Sequence, residues 1–423
     1  MFALVDCNNF YASCERVFQP QYEKQPIVIL SNNDGCVIAR SNEAKALGIP
    51  MGAPAFKFQK TFEQKQIKVF SSNYPLYGDM SSRVMRILEH FTPQVEVYSI
   101  DEAFLQFEGF DFFKLSDLGK DMRQRVKKWT GIPVSIGFGP SKALAKIANK
   151  IAKKFTNRTQ GVYCIDSEEK RIKALKWTAI EDVWGIGRQH TKRLQAQGIQ
   201  TAYDFVQLPD AWVKKEMSVL GLRLKKDLQG LPYIQLEEVP SPKKSIATTR
   251  SFEGTLTEFQ SLEERVSTFA VSCAEKMRKQ QSSCTALMVF VRSDPFKKDM
   301  PLYRNNCVIT LPYATHSSLS LSKYAVQGLK QIYRSGIAYK KAGVMVMGLV
   351  PNAQRQLNLF EHNIGKHDAL MQAIDTIHRR FGPHRMKLAN QDLIRTWKMK
   401  QEHLSKRYTT EINEIIRVGS PKK

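Results

Sequence analysis

Tyr98-Ser99-Ile100-Asp101-Glu102-Ala103-Phe104 sets two adjacent carboxylates inside a run that is otherwise β-rich. Val95, Val97, Tyr98 and Ile100 precede them, and Phe104, Leu105 and Phe107 follow. A strand wants apolar residues at such positions, so acids placed there need something to stabilise them, and a divalent cation is the usual agent. A third acid, Asp6, ends a second β-like run, Phe2-Ala3-Leu4-Val5, and leads into Cys7-Asn8-Asn9-Phe10-Tyr11. Three acids at the ends of apolar strands point to a Mg²⁺ site that handles phosphates. Each acid also has a plainer reading: Asp101 and Glu102 as hairpin-turn acids, Asp6 as a helix cap at a strand end.

The surrounding charge supports the phosphate reading. The 423 residues carry 64 Lys+Arg against 40 Asp+Glu, a net charge of +24 that attracts polyanions, with DNA or RNA the leading candidate and an anionic membrane surface the weaker one. No apolar run approaches the roughly 18 residues needed to span a bilayer, so no membrane partner is expected. Seven dispersed cysteines without a C-x-x-C pair speak against a disulfide framework or a zinc finger and for a reduced, cytoplasmic protein. Hydrophobic residues at 42% and this length predict a folded chain of roughly three or four domains.

Residues 1–165 alternate strand and helix signals and read as a mixed α/β domain. Strands are expected over Phe2–Asp6, Ile27–Ser31 and Pro133–Phe138, and a hairpin over Val95–Phe107. Helices are expected over Asn42–Gly48, Asp79–Phe91, Leu115–Trp129 and Ser141–Phe155, the last capped by Ser141. Residues 166–232 read as small and helical. Within them Gly185-Ile186-Gly187-Arg188 suits a helix-hairpin-helix, whose exposed N–H groups face a phosphate, or an ordinary turn between helices; the two glycines alone favour the turn, and Arg188, Lys192 and Arg193 bring the two readings level. Residues 233–244 form a linker rich in Pro and Lys. Residues 245–350 carry a β-α-β-β-α-β pattern. A second linker, 351–360, holds Gln356-Leu357-Asn358-Leu359-Phe360, whose apolar side chains in polar surroundings suit insertion into a partner's pocket. Residues 361–423 form a basic tail: from Thr376 onward twelve Lys/Arg face four acids.

Two Mg²⁺ ions about 4 Å apart can activate an attacking hydroxyl and stabilise a leaving pyrophosphate. Asp6 and Asp101 are natural bridging ligands, Glu102 a further one, and the Cys7 backbone carbonyl another hard oxygen. Alternation along a strand turns neighbours to opposite faces, so Asp101 and Glu102 converge only near a turn or bulge. For the triphosphate, Lys142, Lys146, Lys150 and Lys153 fall on one helical face, with no acid between Lys142 and Arg158 to neutralise them. A solvated basic face is the alternative. Lys45 is a second candidate. Phe10 and Tyr11 lie directly after the Asp6 loop, where an aromatic ring would exclude a ribose 2′-hydroxyl; both could instead be core residues.

Asp6-Cys7-Asn8-Asn9-Phe10-Tyr11-Ala12, Ser99-Ile100-Asp101-Glu102-Ala103 and Ala145-Lys146-Ile147-Ala148-Asn149-Lys150 resemble the Y-family translesion DNA polymerases. The blocks Ser31–Arg40, Phe70–Tyr74, Asp182–Arg188 and Arg407–Thr410 resemble, within that family, the branch of the bacterial DNA polymerase V catalytic subunits. The resemblance implies a multi-domain α/β and α+β right hand. It places palm and fingers in 1–165 (fingers roughly 20–75), a helix-hairpin-helix thumb in 166–232 and a little finger in 245–350. It assigns catalysis and metal binding to Asp6, Asp101, Glu102 and the Cys7 carbonyl, with two Mg²⁺ ions for which Mn²⁺ can substitute. Tyr11, with Phe10 beside it, becomes the steric gate, and Lys45 and Lys153 contact the triphosphate. Gly185, Gly187, Arg188 and Lys192 contact DNA. Gln356, Leu357, Leu359 and Phe360 become a sliding-clamp peptide. The implied substrates are primer–template DNA and deoxynucleoside triphosphates, and the implied partners a processed UmuD dimer, RecA and the clamp. The implied activity is error-prone synthesis past damaged bases in the SOS response. Asn8 and Asn9 stand where many members have an acid and an aromatic, and Lys45 where arginine is common, which exchanges a bidentate contact for a point charge. Beside this stand a metal-dependent nuclease, against which the lack of a histidine near either acid motif weighs, and a non-catalytic DNA-repair module.

Overall fold

The computed structural model describes residues 1–110, 112–237, 241–297, 300–355, 364–382, 384–393 and 399–416. Packing divides the chain into two compact units, one made of residues 1–239 with 399–423 and the other of residues 240–398.

The first unit begins with β1 (Phe2–Cys7), α1 (Phe10–Phe18), β2 (Ile27–Leu30), β3 (Val37–Arg40), α2 (Asn42–Ala46), α3 (Ala55–Gln64) and β4 (Lys68–Ser71). It continues through α4 (Tyr74–Glu89), β5 (Val95–Val97), β6 (Glu102–Gln106), α5 (Leu115–Thr130), β7 (Val134–Gly139), α6 (Lys142–Lys154), α7 (Thr156–Thr159) and β8 (Val162–Cys164). Four helices close it: α8 (Glu168–Trp177), α9 (Arg188–Gln195), α10 (Ala202–Gln207) and α11 (Asp210–Leu228). The main sheet runs β5-β6-β1-β7-β8, with β1 antiparallel to both neighbours, and a smaller sheet runs β3-β2-β4. All six residues of β1 are buried, which is why its apolar run is nearly continuous. Its odd face, Ala3, Val5 and Cys7, joins a core with Tyr77 and Met80 of α4 and Met122 and Val126 of α5. Its even face, Phe2 and Leu4, meets Phe104 of β6 and Ala145 of α6, and strand alternation puts Asp6 on that same side.

Helix α6 lies unusually close to the sheet. A Cβ on Gly137 would sit 2.0 Å from the Asn149 nitrogen and 2.5 Å from the Ala145 oxygen, so only glycine permits the approach. The Asn149 amide fastens the contact by donating to the carbonyls of Leu4 at 3.1 Å and Ser135 at 2.7 Å. Ser141 caps α6 as its sequence suggests, accepting from the Leu144 N–H at 3.3 Å. Helix α4 starts at Tyr74, not Asp79, because the Asn73 side chain caps it by accepting from the Leu76 N–H and Pro75 fits its first turn.

The second unit contains β9 (Ser245–Leu256), α12 (Phe259–Lys279), β10 (Ser282–Ser293), β11 (Arg304–Thr315), α13 (Ser318–Ile332), β12 (Tyr339–Pro351) and α14 (Ile364–Phe381). Its sheet runs β11-β10-β12-β9, antiparallel throughout, with both α12 and α13 contributing to a single core. Helix α14 is held by the Arg278–Asp375 pair, in which Arg278 Nε and Nη2 each donate at 2.7 Å, and by buried Met371. The basic tail is therefore shared out: α14 packs with the second unit, while 399–416 packs with the first. All seven cysteines are free, and among the described residues no helix is long and apolar enough to cross a membrane.

Candidate active site

The register between β1 and β6 puts Asp6 directly opposite Glu102, on the face covered by α6. Like charges facing each other across a strand pair repel, so one must keep its proton or both must find cations. Both happen. Burial pushes the Asp6 carboxyl up to about 7, against the pull of Lys153, and a hydrogen bond with Glu102 adds to the rise. Burial also works against the Glu102 charge, but the Asp6 hydrogen bond and the Lys146 and Lys153 ammoniums outweigh it and hold Glu102 below the usual range. Lys153 is ion-paired with Asp6, and Lys146 with Glu102 at 3.0 Å.

Asp101 lies in the turn between β5 and β6, outside the regular strand. The N–H groups of Tyr98 and Ser99 both donate to the Glu102 carbonyl, at 3.0 and 3.1 Å. The Ser99 hydroxyl accepts from the N–H groups of Asp101 and Glu102 and donates to Asp101 Oδ1 at 2.6 Å. The Asp101 carbonyl in turn accepts from the Cys7 N–H at 2.8 Å, so both acid segments are stitched together by backbone. The turn meets the geometric condition that strand alternation imposed. The structure brings Asp6 and Glu102 together, whereas the Asp101 carboxylate is turned to Ser99, and among the described residues no three His, Cys, Asp or Glu side chains are grouped to hold a metal. The donor set nevertheless fits a hard cation: two facing carboxyls that repel each other, and a third on the adjacent residue.

The four α6 lysines do not form the unpaired face that the lack of nearby acids suggests. Lys142 is buried and pairs with Glu96 at 2.7 Å, Lys146 with Glu102, Lys150 with Asp182 and Lys153 with Asp6. Every partner comes from outside the helix, beyond the reach of an i,i+4 search. A cavity of about 380 Å³ opens beside Lys153, lined also by Lys45, Lys150 and Lys154, by Asn8, Asn9 and Asn42, and, among the described residues, by no acid. Lys45 donates to Asn9 Oδ1 at 2.6 Å, and Asn9 Nδ2 donates to Asn42 Oδ1 at 3.0 Å. Burial and the nearby Arg40 and Lys153 charges lower the Lys45 pKa, the signature of a cation short of anions. Asn9 occupies the left-handed region at φ 48, which asparagine tolerates well, and stands at the N-cap of α1. Lys154 carries no signal of its own in the sequence; only its place around this cavity marks it.

Phe10 is 3% exposed and belongs to the core, so of the aromatic pair only Tyr11 can meet a ligand. Tyr11 is half-buried and stacks on Tyr77 with ring centroids 4.5 Å apart and planes 16° apart, while Tyr74 abuts it edge-on at 6.2 Å. Burial, with Tyr74 and Asp101 nearby, pushes its hydroxyl up to about 12.

Farther along, Gly185 takes φ +86, which a side chain would strain, and Gly187 is the N-cap of α9, with Arg188 and Lys192 exposed on that helix. Trp184, just before them, donates through its indole N–H to the Tyr98 hydroxyl at 3.0 Å and so touches the Asp101 turn. The peptide Gln356–Phe360 lies outside the described residues.

Comparison with known proteins gives a consistent set of likenesses. Residues 5–150 match the impB/mucB/samB family, residues 243–359 the impB/mucB/samB family C-terminal domain, and residues 368–418 a domain of unknown function. Protein UmuC of Salmonella typhimurium strain LT2 is 41% identical over 99% of this chain and 100% of its own length. Protein MucB of Escherichia coli is 35% identical over 98% of this chain and 99% of its own length. DNA polymerase IV of Pelotomaculum thermopropionicum is 27% identical over 90% and 92%. Among solved structures, a Y-family DNA polymerase chimera of Dbh and Dpo4 superposes with a TM-score of 0.68 at 22% identity, covering 83% of this chain and all of that one. An insertion ternary complex of Dbh DNA polymerase gives 0.54 at the same identity and coverage.

Proposed function

This chain belongs to the impB/mucB/samB family, the UmuC branch of the Y-family translesion DNA polymerases, and on that premise we propose a division of labour among its residues. The protein is an error-prone DNA-directed DNA polymerase that copies past damaged template bases. The reading of its site rests above all on one observation: Asp6 and Glu102 are a register pair whose charge is balanced from α6.

In this reading the β5-β6-β1-β7-β8 sheet is the palm, the β3-β2-β4 sheet with α2 and α3 the fingers, α8 to α11 the thumb, and β9 to β12 with α12 and α13 the little finger. The enzyme is metal-dependent. Asp6, Asp101, Glu102 and the Cys7 carbonyl would hold the ions, with two Mg²⁺ the expected pair and Mn²⁺ able to substitute; when bound they supply activation of the primer 3′-hydroxyl and neutralisation of the leaving pyrophosphate. Lys45, Lys150, Lys153 and Lys154 receive the triphosphate of the incoming deoxynucleotide. Lys153 can serve in turn as a counter-ion for Asp6 and a phosphate ligand, since it pairs with that carboxyl and also lines the cavity. The exposed face of Tyr11 meets the sugar and clashes with a 2′-hydroxyl. Gly185, Gly187, Arg188 and Lys192 contact the DNA backbone, by N–H groups and by charge. Action within the SOS response, a processed UmuD dimer, RecA, and a sliding clamp engaged by Gln356, Leu357, Leu359 and Phe360 complete the proposal, on the strength of the UmuC likeness.

Primer extension opposite an abasic template tests the site. The wild type should extend, and Asp101→Ala should not. Extension that survives the substitution removes Asp101 from the metal set, and primer shortening would mark a nuclease instead.

A further inference from the structure

Residues 399–416 fall in the stretch matched to a domain of unknown function, and they dock on the first unit. Ser71, at the end of β4, exchanges two hydrogen bonds with His403: its N–H donates to the His403 carbonyl and its hydroxyl accepts from the His403 N–H, each at 3.0 Å. The N–H groups of Lys400 and Glu402 donate to the side chains of Asn33 at 3.1 Å and Asp34 at 2.8 Å. Asn73, whose side-chain oxygen caps α4, spends its amide on the Ser405 carbonyl, the Ser405 hydroxyl and the Lys406 carbonyl, at 2.9 to 3.2 Å. Tyr408 stacks on Phe18 of α1 at 4.9 Å with planes 8° apart. These contacts join three sequence blocks, Ser31–Arg40, Phe70–Tyr74 and Arg407–Thr410, for which the polymerase chemistry gives no role.

The Ser405 hydroxyl reaches farther in. It donates to Glu15 Oε1 at 2.9 Å, the same oxygen that accepts from the Tyr77 hydroxyl at 2.7 Å. Glu15 is 0% exposed, and no cation among the described residues pairs with it, so its carboxyl is held by neutral donors: these two and Gln19 at 3.3 Å. Tyr77 is 0% exposed and is the ring against which Tyr11 stacks. A continuous series of direct contacts thus runs from Ser405 through Glu15 and Tyr77 to Tyr11.

We propose that residues 399–416 are a docking strap that sets the position of Tyr11 through Ser405, Glu15 and Tyr77, so that exclusion of ribonucleotides depends on this segment being seated. The inference rests on Tyr11 being the sugar gate. Ser405, Glu15 and Tyr77 are positioning residues: none meets the nucleotide, and each acts through the next. A buried carboxyl that loses one of three donors either takes up a proton or turns toward the remaining ones, and either response moves the Tyr77 hydroxyl it anchors.

The test is single-nucleotide insertion of dATP and of ATP on an undamaged primer–template, comparing kcat/KM ratios. Tyr11→Ala is expected to collapse the deoxyribose preference. Ser405→Ala should lower it by roughly three- to tenfold, the weight of one ordinary hydrogen bond, with kcat for dATP changed less than about twofold. Ser405→Thr, which keeps the hydroxyl, should restore the ratio, and Ser405→Ala should add nothing in a Tyr11→Ala background. A merely structural role for Ser405 would lower both nucleotides' rates together and leave the ratio unmoved, which overturns the strap. If Tyr11→Ala relaxes the preference and Ser405→Ala does not, the gate stands and the strap falls. If Tyr11→Ala changes nothing, both fall.

Discussion

Lys142 offers the sharpest separation between packing and catalysis on α6. Its side chain is 4% exposed and that of Glu96 is 9% exposed. Lys142 Nζ donates to both Glu96 oxygens, at 2.9 and 2.7 Å, and sits 4.5 Å from the centroid of the Phe104 ring. Glu96 receives one more hydrogen bond, from the Glu237 N–H at 2.8 Å. In Lys142→Met the stem volume is kept, the carboxylate stays buried and a single backbone donor remains. Removing one partner of such a pair costs about 3–5 kcal/mol, because the other charge is left uncompensated. At about 2–4 °C per kcal/mol for a body of this size, the melting temperature should fall by roughly 6–20 °C. Circular dichroism melts at pH 7 measure this, and nucleotide KM at 20 °C should stay within about twofold of the wild type, since the lysine is buried against Glu96 and does not line the cavity beside Lys153. Adding Glu96→Gln to Lys142→Met should recover most of the loss, since the charge left behind is then gone. The reasoning fails if Lys142→Met melts like the wild type, or if its nucleotide KM rises with the melt unchanged; either would return Lys142 to the phosphate-facing set.

Lys45→Ala should raise the deoxynucleotide KM by about tenfold or more with the melt unchanged, as befits a charged phosphate contact, and an unaltered KM would remove Lys45 from the site. Glu15 gives a pH signature: burial raises it to about 7 from 4.5, so the folded chain keeps a proton that the unfolded chain releases. Its contribution to stability is therefore complete below pH 4.5 and lost as pH climbs to 7, a decline of about 3 kcal/mol that Glu15→Gln should abolish in denaturant titrations at pH 5 and 8. Equal slopes in both proteins would refute it. Gly137→Ala drives a Cβ into the α6 backbone at 2.0 Å, and no folded protein should be recovered; a normal melt would show that α6 can lift away.

What the sequence tells about this fold follows from how local each determinant is. The helix of Lys142–Lys154 and its Ser141 cap are written within fifteen residues, as are the Phe2–Cys7 strand and the hairpin around Asp101. The second unit's strands run several residues past their apolar cores because sheet partners, not composition, extend them: β11 begins at Arg304, paired with Arg292 of β10, through alternately exposed positions. Helices α1 and α3 escape because their signals are weak. Asn9 caps α1 by backbone conformation without a side-chain bond, and α3 begins after Pro54 with no side-chain cap.

The site shows the same divide more sharply. Residue types single out Asp6, Asp101 and Glu102 as candidates, and strand alternation asks which way they face: the β1–β6 register sets Asp6 opposite Glu102, whereas the Asp101 carboxylate turns to Ser99. Charge partners are another matter. A search for neutralising acids within one helical turn finds none on α6, yet all four of its lysines are paired, with Glu96, Glu102, Asp182 and Asp6, because salt bridges form in space and only helix neighbours can be found by counting. The strap is the extreme case. Asn73 and Ser405 are 332 positions apart, and each alone is an unremarkable polar residue. What betrays them is a mismatch of burial and charge: Glu15, sealed in a core without a cation, must take its hydrogen bonds from somewhere, and one of its three donors is supplied from the far end of the sequence.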